Sequence, residues 1–262
     1  MPRYALITGA SSGIGLALAE ALARRGHPLI LLARKREALE SIASELAQRF
    51  GVEVLYRVCD LSEPLHVTGL LHELEQSEKV IDLLVNCAGM GTGGPFLSSD
   101  WSREQHLIEL NVLALTRLCH ALGAHMAQQG GGQILNVAST AAFQPIPLMS
   151  SYAASKAYVL HFSEGLREEL KSRGISVSVL CPGPTRTSFF RKAGMQTASM
   201  EKGKTMMGAE EVALIAMHGL AKRKAIIHCG WRNRLTAMVP RFLPRSLVRK
   251  VTDRIGRMLT SP

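Results

Sequence analysis

The sequence predicts an α/β fold, a doubly wound parallel sheet of about seven strands with helices on both faces. Short apolar runs, several rich in β-branched residues, alternate along the chain with segments of helical period. The runs are almost continuously apolar, as strands covered on both faces must be. Successive parallel strands need a crossover helix, and right-handed crossovers deliver helices to both faces of the sheet.

In chain order the strands are read at YALIT (4–8), PLILLA (28–33), VEVLYRV (52–58), IDLLVN (81–86), QILNVAS (133–139), ISVSVLC (175–181) and a last short AIIHC (225–229). Helical segments lie between them: GIGLALAEALARRG, KREALESIASELAQRF, residues 62–78, a long one over 103–129, and SYAASKAYVLHFSEGLREELKS. The glycines at 130–132 stop the long helix and do not mark a linker. No internal repeat appears, so residues 1–262 are read as a single domain, long enough to bury a substantial core.

Composition narrows the function. With 47% hydrophobic and 20% charged residues the chain is an ordinary folded protein. Five cysteines (59, 87, 119, 181 and 229) are scattered without a C-x-x-C pair, and nine histidines form no H-x-x-x-H, so neither a disulfide framework nor a metal site is expected. The apolar run after the first residues is too short for a signal peptide, and no stretch reads as the roughly 20 apolar residues that span a bilayer. The expected location is the cytoplasm. The net charge of +10 is concentrated: residues 231–262 hold eight Arg and Lys against one acid, leaving +3 for the rest. A basic tail is read here, not a nucleic-acid-binding domain.

The first strand runs into TGASSGIG, with glycines at 9, 13 and 15. In a doubly wound sheet this turn meets the first helix, whose free N–H groups and dipole attract a pyrophosphate. Gly9, Ser11, Ser12, Gly13, Ile14 and Gly15 are therefore candidate cofactor contacts, although by spacing alone a plain strand-to-helix turn serves as well. A dinucleotide site that prefers NAD carries an acid about 20 residues on, at the end of the second strand. Here Arg34, Lys35 and Arg36 follow Ala33. A guanidinium suits a 2′-phosphate, so the expected cofactor is NADP(H). The alternative is a solvated helix start.

Tyr152 and Lys156, four apart on a helix, share a face, which lets an ammonium stabilise a phenolate. Tyrosine ordinarily titrates near 10, so acid/base work near neutrality asks for a depression of about two to three units. Ser139 ends the fifth strand at the carboxyl edge, where its hydroxyl reaches a substrate oxygen or merely closes a turn. Asn111 is an amide inside an apolar helix and needs partners.

Together, T8-G-x-x-x-G-I-G15, NCAG at 86–89, Asn111, Ser139, YAASK at 152–156 and CPGPTRT at 181–187 resemble the short-chain dehydrogenase/reductase family, over residues 4 to about 190. The resemblance implies a Rossmann-like fold and an NADP(H)-dependent oxidoreductase moving hydride between nicotinamide and a ketone or secondary alcohol. It implies that Tyr152 exchanges the proton, that Lys156 holds the ribose and lowers the tyrosine pKa, that Ser139 binds the substrate oxygen, and that Asn111 supports a water relay. Asn86, Ala88 and Gly89 would support the cofactor, with Cys87 in place of a frequent second asparagine. Asp60 with Leu61 would contact the adenine, where a helix-capping aspartate is the alternative. Pro182, Gly183, Thr185 and Thr187 would clasp the carboxamide. A homodimer or homotetramer is expected. Other readings are a non-catalytic NADPH-binding scaffold acting through the tail, and an epimerase or dehydratase of the wider family.

On this reading residues 1–185 form the cofactor-binding and catalytic core and 186–208 an apolar, methionine-rich lid, which suggests a lipophilic substrate. Residues 209–230 supply the last helix and strand. Residues 231–262 form a basic amphipathic tail, with Leu247, Val248, Val251, Ile255, Met258 and Leu259 at helical spacing. The tail is expected to pack on its own chain, where it could cover the substrate pocket, or on a neighbouring subunit, with peripheral membrane contact as the next reading.

Overall fold

The computed structural model describes residues 2–77, 79–195 and 206–260. Seven strands form one parallel sheet: β1 (Arg3–Thr8), β2 (Leu29–Ala33), β3 (Val54–Val58), β4 (Val80–Asn86), β5 (Gly132–Val137), β6 (Ile175–Cys181) and β7 (Ile226–His228). Their order is β3-β2-β1-β4-β5-β6-β7. Every neighbouring pair is parallel, with Ile7 of β1 opposite Leu31 on one side and Val85 on the other. Chain order runs outward in both directions from β1 and β4, and their carboxyl ends therefore flank the crevice where open sheets bind ligands.

The crossover helices are α1 (Gly13–Ala23), α2 (Arg36–Phe50), α3 (Pro64–Gln76), α4 (Trp101–Ile108) continued by α5 (Leu115–Gln128), α6 (Ser150–Leu170) and α8 (Ala209–Ala221), with the short α7 (Phe189–Lys192) after β6. They make two cores. Leu18 and Leu22 of α1, Leu39 and Leu46 of α2 and Val212 and Leu220 of α8 pack on one face of the sheet. Leu70 of α3, Leu118 and Leu122 of α5 and Val159 and Leu160 of α6 pack on the other. This two-sided cover is why the strands read as unbroken apolar runs.

Three readings change in detail. The segment expected as one helix over 103–129 contains a π-turn, Glu109–Ala114, between α4 and α5, and Asn111 sits in it. By length and composition Trp101–Gln128 is apolar enough to cross a membrane, contrary to the expectation from sequence. Its apolar face is instead spent on the core, where Leu107, Leu115, Leu118, Cys119, Leu122 and Met126 are buried. The fifth strand stops at Val137, and Ser139 begins a 3₁₀ turn over Thr140–Phe143.

Beyond the sheet, α9 (Trp231–Met238) and α10 (Arg245–Thr260) form the tail. It packs on its own chain. Val248, Thr252 and Gly256, spaced by four, are buried, and a Cβ at Gly256 would collide with the carbonyl oxygen of Pro147. Of the segment read as a lid, residues 196–205 lie outside the described residues, as does the side chain of Leu259.

Candidate active site

A cavity of about 830 Å³ opens along the carboxyl edge of the sheet. Its floor at one end is the turn after β1. Thr8 makes that turn fit: its hydroxyl oxygen accepts hydrogen bonds from the backbone N–H groups of Cys87 and Ala88, both at 2.9 Å. The turns after β1 and β4 are thereby tied together. Gly9 has φ of 69° and lies so close to Ala88 that a Cβ would stand 2.9 Å from its Cα. Helix α1 then begins with no side-chain cap on its N-terminal N–H groups and no acid in its first turn. Those donors and the positive end of the dipole face the cavity, a fit for pyrophosphate.

At the end of β2, the Arg34 guanidinium lies 3.6 Å from the Asp60 carboxylate, which follows β3. Burial raises the Asp60 pKa, but the Ser62 hydroxyl and N–H and the Arg34 charge outweigh it and hold the carboxyl below its ordinary range. Arg34, mostly exposed, lines the wall with Asp60 and Leu61.

Ser139, Tyr152 and Lys156 all line the cavity, and the Ser139 hydroxyl hydrogen-bonds Tyr152. Tyr152 and Lys156 are buried on α6. The Lys156 ammonium donates to the Val137 carbonyl at 2.9 Å and lies 5.9 Å from the Tyr152 ring centroid. Burial lowers the Lys156 pKa to about 8. Burial pushes Tyr152 up to about 12, against a lowering by the Ser139 hydroxyl. In the protein alone, desolvation of the phenolate outweighs the lowering by the Ser139 hydroxyl. Cys87, beside the same pair, is pushed by burial to about 12 and remains a neutral thiol.

Three expected site residues stand behind the wall, not on it. Asn111 is buried, its amide donating to the Met90 carbonyl at 2.9 Å and to the Ser155 hydroxyl at 3.0 Å, while its oxygen accepts from the Met90 N–H at 2.9 Å. It braces the loop after β4 against α6. Asn86 donates to Asn136 at 2.9 Å across the sheet. Gly15 packs against the turn, where a Cβ would collide with the Gly9 carbonyl oxygen. The remaining candidates line the cavity: Gly9, Ser11, Ser12, Gly13, Ile14, Arg34, Asp60, Leu61, Ala88, Gly89, Ser139, Tyr152, Lys156, Pro182, Gly183, Thr185 and Thr187.

The structure adds residues that sequence reasoning passed over. Thr8 was legible as a hydroxyl ending a strand. Asn136, whose amide donates to Ser163 at 2.9 Å, was legible as a polar residue in a buried strand. Asn233, Thr236 and Ile255 of the tail also line the cavity. Asn233 covers Gly183, where a Cβ would collide with its Oδ1. Nothing local in the tail marks these three. At this end the wall is apolar, with Met90, Ile146, Met149, Phe189, Phe190 and Ala193.

The sheet order and a cradle at its switch point define a dinucleotide-binding type of α/β protein. The short chain dehydrogenase family model matches residues 3–198, and the chain belongs to that family. A solved short-chain dehydrogenase from Sphingobium yanoikuyae, in complex with NADPH, is 36% identical with a TM-score of 0.83, covering 92% of this chain and 91% of that one. The bulky-bulky ketone specific alcohol dehydrogenase of Comamonas testosteroni is 34% identical with a TM-score of 0.76, covering 87% and 86%. A relative from Burkholderia phymatum, solved with NAD, is 26% identical with a TM-score of 0.82, covering 95% of each chain. The chain spans only 33% of the length of the mycobacterial probable oxidoreductases EphD, to which it is 32% identical over 76% of its own length.

Proposed function

We propose that this member of the family is an NADP(H)-dependent oxidoreductase that moves hydride between nicotinamide and a lipophilic ketone or the corresponding secondary alcohol, with Tyr152 as acid/base. The observation that carries it is the meeting of Ser139, Tyr152 and Lys156 in one cavity whose far end is the open N-terminus of α1.

The turn at Gly9–Gly15 would hold the pyrophosphate, Arg34 a 2′-phosphate and Asp60 with Leu61 the adenine. Pro182, Gly183, Thr185 and Thr187 would meet the nicotinamide amide. When bound, the cofactor supplies the hydride and, in its oxidised form, a positive ring. The protein supplies the rest. Tyr152, protonated at neutral pH, donates its phenolic proton to a carbonyl oxygen during reduction. Ser139 donates a hydrogen bond to the same oxygen as charge gathers there. Lys156 keeps an ammonium beside the ring, so that the phenolate left behind is partnered. In the oxidative direction the same tyrosine must first lose its proton, and the two cations favour that loss.

The apolar wall formed by Ile146, Met149, Phe189 and Ile255 supports a lipophilic substrate, as does the likeness to an enzyme of bulky ketones. A cytoplasmic homodimer or homotetramer belongs to the same proposal. Trp101, Ile108, Leu113 and Tyr158 leave apolar surface exposed on α4 to α6, the kind of patch that a second copy covers. A panel of ketones of increasing bulk, run with NADPH and NADH in parallel, tests the reading. Faster oxidation of NADPH with bulky ketones is expected. Preference for NADH would remove the Arg34 assignment, and activity confined to small charged carbonyls would remove the lipophilic one.

A further inference from the structure

The tail leaves a second apolar surface exposed, and its chemistry differs from that on α4 to α6. Trp231, Leu235, Phe242, Leu247, Val251 and Met258 each keep at least two fifths of their surface in solvent, Trp231 and Phe242 more than 70%. They stand among the eight Arg and Lys of residues 231–262, against the single acid Asp253. That acid is already engaged by Arg257 at 2.9 Å. The Arg232 guanidinium lies over the Trp231 ring, 5.4 Å from its centroid.

The surface is held in place. The opposite side of α10 is buried through Val248, Thr252 and Gly256, with Gly256 against Pro147. An exposed apolar stripe on a helix so fixed is presented outward and has no cover among the described residues of its own chain. Ile255, exposed at 36%, belongs both to this outward side and to the rim of the active-site cavity.

From these observations we propose that α9 and α10 seat the protein on an anionic lipid surface, with the cavity rim at Ile255 beside the bilayer. Charge decides between this occupant and a second copy. A two-fold interface sets a patch against itself, which would bring two strongly cationic tails together. Anionic headgroups instead neutralise the arginines while Trp231, Phe242 and the α10 stripe enter the interfacial layer, where aromatic and aliphatic groups are favoured. The seating is independent of which ketone the site reduces.

Sedimentation of the full chain with phosphatidylcholine vesicles, with and without added phosphatidylglycerol, tests it. The protein is expected to pellet with the anionic vesicles and remain in the supernatant with the neutral ones, and added salt should release it. The triple variant R249E/K250E/R254E changes only exposed residues. It is expected to lose about a hundredfold or more in partitioning while keeping its cofactor affinity and turnover of a water-soluble ketone. Equal partitioning onto both vesicle types, or none, would overturn the proposal. So would a dimer by light scattering that L247E/V251E converts to monomer, for then the stripe is a subunit interface. Since the readout is pelleted protein, failure here is distinct from failure of the assigned reaction.

Discussion

The two ends of the cavity are built in opposite ways. At the nucleotide end the wall is made of residues that each follow a strand: Gly9 to Ile14 after β1, Arg34 after β2, Asp60 after β3 and Ala88 after β4. Parallel register puts those strand ends side by side, and a motif at each end suffices to build the site. At the substrate end Ile146, Met149, Phe189, Thr236 and Ile255 come from loops and helices that no strand pairing aligns. Backbone donors and charge make the first end, apolar side chains the second. One is suited to a fixed ligand and the other to variation.

The largest effect is expected where the two ends join. Tyr152→Phe removes the proton donor and leaves the buried ring in place, so turnover should fall by roughly 10²- to 10⁴-fold, while NADPH affinity measured by fluorescence stays within about twofold of wild type. Retained turnover would remove Tyr152 from the chemistry, whereas lost turnover with unchanged function in the cell would favour the scaffold reading.

The same contrast explains what could be read from the chain. The sheet was legible because each strand is apolar on both faces and each crossover has helical period, and β1 to β6 fall within a few residues of their expected places. Ser139, Tyr152 and Lys156 converge as their spacing and the family motif imply. Asn111 was legible as a residue but not as a geometry: its amide is used up on Met90 and Ser155, which depends on a π-turn that periodicity does not reveal. Ile255 and Asn233 were not legible individually as wall residues: Ile255 is placed by the seating of α10 on Pro147, more than a hundred residues away in sequence, and Asn233 by its contacts with Gly183 and the Cys229 carbonyl.

Arg34→Leu should sharpen the nucleotide end next. Losing a charge-assisted contact to phosphate costs about 1.5–3 kcal/mol, so the KM for NADPH is expected to rise roughly 10- to 100-fold with that for NADH little changed or improved. An equal loss with both cofactors would mean that Arg34 acts through Asp60 on the adenine side.

Lys156 provides a pH test at the junction. Burial lowers its pKa to about 8, so the ammonium is present below that pH and is lost above it. Cofactor affinity should be level at lower pH and fall by about tenfold per unit above pH 8 if only the ammonium form binds, a limb that Lys156→Met abolishes. Stability of the protein alone runs the other way in this window. The unfolded lysine holds its proton to about 10.4, so between roughly pH 8 and 10 the unfolded state binds more protons and Lys156 makes stability rise with pH. Above pH 10 Tyr152 opposes this, because its folded pKa of about 12 makes the folded state the more protonated one.

The smallest effect is expected at the substrate end, and it isolates the tail. A methyl group at Gly256 has no space against the Pro147 carbonyl, so Gly256→Ala must shift α10 outward or move the loop that carries Ile146 and Met149. Either displacement loosens the wall around Ile255 and leaves the turns after β1 to β4 untouched. A loosened apolar contact is worth no more than the lower end of the about 1–3 kcal/mol of a whole methylene in an apolar pocket, so the KM for a bulky ketone should change by up to roughly fivefold while that for a small ketone and for NADPH stays constant. Equal shifts for both ketones would show that α10 does not reach the substrate. A shift in NADPH affinity would show that the two ends are coupled through Asn233 and Gly183, the point where the tail touches the backbone of the nucleotide half.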